Sequence, residues 1–497
     1  MKKNLIWIIL VILFSIPAIA ALFHPGFFQS DDGEWMVIRF SAFHQALRDG
    51  EFPVRFLSRL NYGYGYPVSN FLYPGFMYLG ELFKLLGFGF VQTIKIIFGL
   101  SMVGSAVFAY LWLSKLFDRW PSFVGSFLYL YAPYHLFDIY KRGSVGEVLT
   151  LGLVPFIFWQ IERKSFFWTS LGIAFLIVSH NTLALLFLPV VILYLLARGL
   201  AFSVYLLPSV LLGLGISSFF WIPAIFDLQY TVFQNTPVSD WSNHFADFTL
   251  VGFVPQIVFI LTLFTFKKFK DRISILMFSI GIVSLFLSLS ISSLVSEWLP
   301  VSVFQFPFRF LSVTILSAAF LSAFLLNEIK ANARAIFGVA ILIVGFLSAS
   351  YYISPSVFFD KGDAYYSTNE DTTTVKSEYM PKWVKNNPTE HFANKVEIVN
   401  GLVTDLKIKS NRVRFLATSD NNSLVTINTI YFPGWKVVVD GKAVPIPYEN
   451  HSGIMQFNVA KGAHLVEASF SETRVRLIGD IVSLVSLGAL LLLCLVI

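Results

Sequence analysis

Long apolar runs separated by short polar loops dominate this chain, and they predict helices that cross a bilayer. A spanning helix needs about 20 apolar residues at roughly 1.5 Å rise each. The first run, 4–23, is nearly free of charge. Others follow at 90–113, 120–132, 148–161, 166–179, 182–197, 203–223, 249–266, 273–294, 309–327, 335–354 and 477–497, so twelve spans are expected. Between the first two lies a long polar and aromatic segment, 24–89. It contains an amphipathic helix pattern from Glu34 to Asp49 and an apolar, hairpin-like piece from Phe71 to Leu86. Glu81, Lys84 and several glycines make that piece a poor span, and it is expected at the membrane surface.

The pattern changes at 355–474, where period-two alternation predicts strands at 395–399, 413–417, 424–428, 435–439 and 464–468. Asp440-Gly441 fits a hairpin turn between Val437–Val439 and Val444–Ile446. The expected fold is therefore an α-helical polytopic membrane protein with a small antiparallel β-sandwich. Its divisions are 1–354 (multi-span), 355–474 (β-rich) and 475–497 (a final helix).

Composition supports the class. Of 497 residues, 56% are hydrophobic, 17% aromatic and only 13% charged, against roughly 25% charged in soluble domains. The basic residues fall in short loops: Lys115 and Arg119, Arg163 and Lys164, Arg198, Lys267 to Arg272, Lys330 and Arg334. That clustering is the signature of loops kept on the cytoplasmic side rather than of a nucleic-acid surface. It places the N-terminus in the cytoplasm and 355–474 outside the cell membrane. Lys141-Arg142 is the exception and has acidic neighbours. Lys2-Lys3, an apolar core and Ala18-Ile19-Ala20 also fit a cleavable signal, although the run is long enough to remain as a span. The single cysteine, Cys494, excludes an internal disulfide and a cysteine metal site.

Candidate chemistry concentrates in the segments expected outside. Asp31-Asp32 stands just beyond the first span, where a transferase acting on lipid-linked sugars needs a general base or metal ligand; a solvated loop is the plainer alternative. Arg39 and Arg55 suit a phosphate or pyrophosphate clamp, or contact with anionic headgroups. Tyr64 and Tyr66, in Tyr62-Gly-Tyr-Gly-Tyr-Pro67, offer flat faces for sugars or form an interfacial aromatic belt. In the second outer loop Asp138 and Glu147 are able to join Asp32 around Mg²⁺ or Mn²⁺, or to pair with Lys141 and Arg142. His180 sits at a turn between two short spans, where a satisfied interior histidine is the ordinary outcome. Arg309 begins the tenth span, either snorkelling to the membrane edge or holding a lipid phosphate.

Taken in order, these residues resemble a known family. Asp32-Gly33 with Arg39, Gly50-x-x-Pro53-x-Arg55, Tyr62-Gly-Tyr-Gly-Tyr-Pro67, Tyr73-Pro74, Pro133-Tyr-His135 with Arg142-Gly143 and Glu147, Ser179-His180-Asn181 and Phe306-Pro-Phe-Arg309-Phe are its marks. They resemble bacterial and archaeal membrane proteins labelled 6-pyruvoyl-tetrahydropterin-synthase-related, themselves similar to GT-C membrane glycosyltransferases. Nothing in the sequence gives a reason for pterin chemistry. Tyr431-Phe-Pro-Gly-Trp435-Lys-Val-Val-Val-Asp440-Gly441 resembles the C-terminal region of bacterial proteins that glycosylate lipoteichoic acid.

The GT-C resemblance implies a polyprenyl-phosphate sugar donor, a site at the outer membrane face, and Asp32 (Asp31 as alternate) as base or metal ligand. It also implies a second-loop acid, Asp138 or Glu147. Substrate contacts are expected from Arg39, Arg55, Tyr64, Tyr66, Arg142, His180 and Arg309, with a glycan, lipid or protein of the cell envelope as acceptor. Trp35 and Met36 stand where relatives tend to carry histidine. Two rivals remain: a lipid-linked-glycan transporter or flippase, which needs the arginines but no base, and a non-catalytic envelope assembly protein working through its β-rich part.

Overall fold

In the computed structural model, residues 2–233, 241–265, 271–296, 304–372 and 377–496 are described. Most of Lys267 to Arg272, the clearest expected inner loop, lies outside them. The longer helices are α1 (Lys2–Ile19), α2 (Gly33–Arg48), α3 (Gly75–Leu85), α4 (Phe90–Leu113), α5 (Arg119–Leu130), α6 (Val145–Glu162), α7 (Phe166–Ser179), α8 (Asn181–Ala197), α9 (Leu200–Ile216), α10 (Ser218–Asp227), α11 (Phe253–Thr265), α12 (Arg272–Ser288), α13 (Leu311–Glu328), α14 (Ala331–Ala349) and α15 (Arg474–Val496). The bundle closes where side chains are small. A Cβ on Gly152 of α6 would lie 2.9 Å from the Ser101 carbonyl of α4, and one on Gly125 of α5 2.6 Å from the Ala319 carbonyl of α13. Such close backbone approach is how helices associate where apolar burial gives no net drive. The outward faces of α1, α11, α14 and α15 carry exposed Leu, Ile, Val and Phe, as lipid-facing surfaces do.

A helix stands at each position where a span is expected, but the count of twelve is not reproduced by length. Among the described residues six helices are long and apolar enough to cross a membrane, seven if the pair Leu200–Ile216 and Ser218–Tyr230, bent by 60°, counts as one. Others fall short, α5 having 12 residues, α7 14 and α11 13. The cause is visible at α5. Pro133 forces its neighbour out of helical geometry, and the chain then runs largely buried through 133–142, with Lys141 exposed. The Phe71 to Leu86 piece is the short helix α3 rather than a hairpin, with one face buried through Phe76, Met77 and Gly80.

Ion pairs tie the basic loops together, Arg198 to Glu162 and Arg334 to Asp118, each at 2.6 Å, and a second set of loops meets around Glu147. Lys115, Arg163, Arg198 and Lys330 lie at one end of the bundle. The loops around 31, 138, 180 and 309 lie at the other, with the sheet region. There, β1 (Phe27–Phe28) pairs antiparallel with β2 (Phe358–Phe359). Two antiparallel sheets follow: β4 (Gly401–Lys409), β5 (Arg412–Ser419), β10 (Gly462–Phe470), β7 (Trp435–Val439) and β8 (Lys442–Val444) in that order, and β3 (Val396–Ile398), β6 (Ser423–Ile430) and β9 (Ile454–Val459). Alternate residues of β5, β6 and β9 are buried, as two facing sheets require. The Asp440-Gly441 turn has φ of 50° and 78° and joins β7 to β8, with Val439 opposite Lys442. Strand β4, absent from the expected set, is an exposed edge, although Leu406-Lys407-Ile408-Lys409 alternates as a strand does.

The sheets begin only at Val396. Residues 355–372 return to the helical part. Asp363 accepts from the backbone N–H of Phe90 at 2.8 and 3.0 Å, capping α4 from 273 positions away. Ser41 donates to the Tyr366 carbonyl at 2.7 Å.

Candidate functional site

Two loops meet at the sheet-bearing end of the bundle. The N–H groups of Asp31 and Asp32 donate to the carbonyls of Lys141 and Arg142 at 3.0 and 2.8 Å. The contact is tight enough to demand glycine: Gly143, at φ 65°, closes a single turn of π-helix (Asp138–Arg142), and a Cβ there would lie 2.7 Å from the Gly33 nitrogen. This clamp carries Arg142 into the bundle beneath Asp32.

At the centre is Glu147, fully buried in the first turn of α6. Its Oε1 accepts from Arg309 Nε at 2.9 Å, with Arg309 Nη2 also at 2.9 Å. Arg142 Nη2 lies 3.7 Å from the same oxygen and donates to Asp32 Oδ2 at 3.1 Å. Tyr134 donates its hydroxyl to Glu147 Oε2 at 3.1 Å. His180 Nδ1 accepts the Leu183 N–H, capping α8, so its proton resides on Nε2, 3.6 Å from Glu147. The Tyr73 ring packs 4.7 Å from the imidazole. Phe306 and Phe308 stack on each other and cover Arg142 at 4.8 and 5.1 Å. Toward the outside, the Asp32 side chain is 24% exposed and that of Asp31 54%, 3.9 Å from Arg142. Burial, opposed by Arg142, pushes the Asp31 carboxyl above its usual range.

The site residues expected from sequence divide into two groups. Asp31, Asp32, Arg142, Glu147, His180 and Arg309 converge. Arg39 lies deeper, donating to the Thr372 carbonyl at 3.2 Å with Glu378 at 3.8 Å. Burial raises Glu378 to about 6, with Arg39 opposing it and Asp32 adding to it. Arg55 lies elsewhere, bonded to Glu472 at 3.1 Å, Asp480 at 3.0 Å and the Phe219 carbonyl at 2.8 Å. Tyr64 packs edge-on against Phe392 at 5.1 Å, and the buried Tyr66 hydroxyl accepts the Tyr379 N–H. Tyr134 and Glu378 were not among the expected site residues. Tyr134 is adjacent to His135 in a motif already conspicuous, whereas Glu378 has no local signal.

Asp32, Asp138 and Glu147 do not fit a divalent cation. Among the described residues no group of three or more His, Cys, Asp or Glu is placed to hold one. Guanidinium groups occupy the Glu147 carboxylate instead. Asp138 is fully buried with neither carboxylate oxygen hydrogen-bonded. Burial first, and then nearby Glu147, push its carboxyl above the usual range, with Arg142 and Arg309 opposing.

Comparison with known proteins gives the following. No family model matches the chain. An uncharacterized protein of Lactococcus lactis subsp. cremoris (strain MG1363) is 22% identical over 340 residues, 58% of this chain and 54% of its own length; the chain thus spans about half of the curated relative it matches. Among solved structures, the arabinofuranosyltransferase AftD from Mycobacteria overlaps 73% of this chain and 28% of its own, at 14% identity and TM-score 0.47. The archaeal oligosaccharyltransferase AglB from Archaeoglobus fulgidus, solved with an inhibitory peptide and a dolichol-phosphate, overlaps 75% and 56% at 12% identity and TM-score 0.43. Both scores are below 0.5, so the reading that follows stands on the site's own geometry.

Proposed function

We propose that this protein is a membrane glycosyltransferase that moves a sugar from a polyprenyl-phosphate donor to a cell-envelope acceptor. The observation that carries the reading is the convergence of Asp32, Arg142, Glu147, Arg309 and His180 from four separate stretches of chain into one partly open polar cluster. Charges sunk this deep in an apolar bundle are costly, which makes a convergent cluster of them a candidate site.

In this reading the acceptor O–H attacks the anomeric carbon, its proton passes to the Asp32 carboxylate, and the C–O bond to phosphate breaks with the electron pair leaving on the phosphate. Asp32 holds its place through Arg142. Arg142 and Arg309 face the departing charge, which they stabilise in a medium of low dielectric. Glu147 keeps both guanidinium groups oriented, and Tyr134 fixes Glu147.

A second feature suits a lipid donor. An apolar cavity of about 460 Å³ lies beside the α9–α10 bend, lined by Phe108, Phe156, Trp168, Phe175, Val178 and Phe219 among others. Trp168 is 48% exposed. Val178 of the lining is two residues from His180; the isoprenoid tail would lie here.

The test is sugar transfer by purified protein offered a panel of labelled polyprenyl-phosphate sugars, with and without a chelator. Asp32→Asn should lower the rate by about 10²–10⁴-fold, the usual worth of a positioned base. Full transfer by a folded Asp32→Asn protein overturns the mechanism. Loss through Arg142 or Arg309 alone favours a flippase.

A further inference from the structure

A second cavity, about 200 Å³, lies at the seam between the sheet region and the loop after α2. Arg59, Lys395, Lys409, Thr429, Phe392 and Trp435 are among its lining residues. None belongs to the cluster around Glu147.

Three observations define what this cavity accepts. The first is charge. Three cations line it, and among the described residues no carboxylate lies within ion-pair distance of Arg59, Lys395 or Lys409. Glu370 acts on the first two from farther away, and Asp49, the other nearby acid, is engaged by the Ser410 N–H and hydroxyl at 2.8 and 2.6 Å. Lys395 is held in place by the carbonyls of Gly63 and Asn428, each at 2.7 Å. Burial lowers it to about 7, the behaviour of an ammonium short of counter-charge.

The second is unmet hydrogen bonding. The indole N–H of Trp435, 4% exposed, and the hydroxyl of Thr429, 1% exposed, are buried with no partner, as is Arg59 Nε. Buried donors of this kind are rare because each costs free energy. The third is shape. Aromatic surface from Trp435 and Phe392 faces a space smaller than the roughly 300–1,000 Å³ of drug-sized pockets, room for one sugar unit. Flat apolar faces beside fixed polar groups are what a pyranose ring requires.

We propose that this seam cavity is a binding site for a phosphorylated saccharide unit, separate from the cluster around Glu147. Lys409 and Lys395 take the anionic group, while Thr429 and Trp435 meet the ring hydroxyls; Arg59 adds its charge, its terminal nitrogens being held by Gln45, Ser41 and the carbonyls of Ile38, Tyr366 and Ser367. The same chemistry is presented by a free sugar phosphate and by the phosphosugar head of an envelope polymer or glycolipid. The site does not depend on the transferase reading, because occupancy needs no turnover.

Calorimetric titration of the full chain in nanodiscs tests this, with glucose 1-phosphate, inorganic phosphate, uncharged glucose and vesicles carrying a phosphosugar lipid as probes. Glucose 1-phosphate should bind more tightly than either phosphate or glucose. Lys409→Glu, at the exposed rim where folding is insensitive, should weaken it by about fivefold or more. Thr429→Val should weaken it without lowering the melting temperature by more than a few degrees, and Asp32→Asn should leave it unchanged. Response to vesicles as well as free ligand assigns the site to a lipid-borne source, and response to free ligand alone to a soluble one. Equal affinity for inorganic phosphate, no binding of glucose 1-phosphate, or weakening by Asp32→Asn but not Lys409→Glu overturns the proposal.

Discussion

Two buried ionic networks lie at the same end of this molecule and do different things with the same residue types. Around Glu147, Arg142 and Arg309 share one carboxylate, and the network continues outward through Asp32 to the half-exposed Asp31. Around Arg55, the guanidinium is bonded on all sides, to Glu472, Asp480 and the Phe219 carbonyl. Nearby, Arg476 donates to Asp227 at 2.8 Å between the rings of Phe432 and Phe470. Asn70 donates to the same Asp227 oxygen. This second network bolts the loop after α2, the α9–α10 bend and the start of α15 together. What separates a candidate reaction centre from a bolt is neither charge nor burial, which the two share. Nor is it contact with water, since the Glu472 side chain is 25% exposed against 24% for Asp32; it is that Arg55 is saturated by its partners, whereas Arg142 leads out to the half-exposed Asp31.

Four substitutions break or sharpen that contrast. The largest effect is expected for Asp32→Asn, with transfer down about 10²–10⁴-fold and the melting temperature nearly unchanged, since Arg142 keeps Glu147; rate and thermal melt on one preparation check both. Arg55→Met should do the opposite. It leaves Glu472 and Asp480 without their cation and destabilises by about 3 kcal/mol, the low end for a broken buried pair because both acids keep some water. Transfer per folded molecule should persist, as denaturant titration alongside activity would reveal.

The third is a pH effect on the bolt. Glu51, buried beside Arg55, accepts the N–H groups of Arg55 and Phe56 at 2.6 and 2.9 Å. Burial raises its carboxyl from 4.5 to about 7. A raised acid contributes stability that is complete below the unfolded value and is lost as pH rises through the folded one. The melting temperature should therefore decline between about 4.5 and 7, and Glu51→Gln should flatten that decline. The smallest effect belongs to Tyr134→Phe, which removes one buried hydrogen bond to Glu147 at a cost of about 1–3 kcal/mol, measurable as a modest shift in melting temperature.

Much of the architecture was legible from local pattern. Helix positions followed from apolar runs, because a backbone in lipid must satisfy its own hydrogen bonds. The Asp440-Gly441 hairpin followed from turn chemistry, since both residues tolerate positive φ. The edge strand β4 was missed although Leu406-Lys407-Ile408-Lys409 alternates. The end of α5 was legible to within two residues, but the largely buried course of 133–142, expected as an outer loop, was not.

For the site, composition and order along the chain determined that acids and arginines would gather near one end of an apolar bundle, since water-seeking side chains have few other places to go. Which of them meet was decided by tertiary structure alone. Arg39, Arg55 and Arg309 look alike in sequence; one faces Glu378, one is locked by Glu472 and Asp480, and one holds Glu147. Asp138 and Glu147, nine positions apart, end as a buried carboxyl with no hydrogen bond and a doubly paired carboxylate. A charge takes its role from the groups within a few ångströms of it, and in a folded chain those come from anywhere along its length.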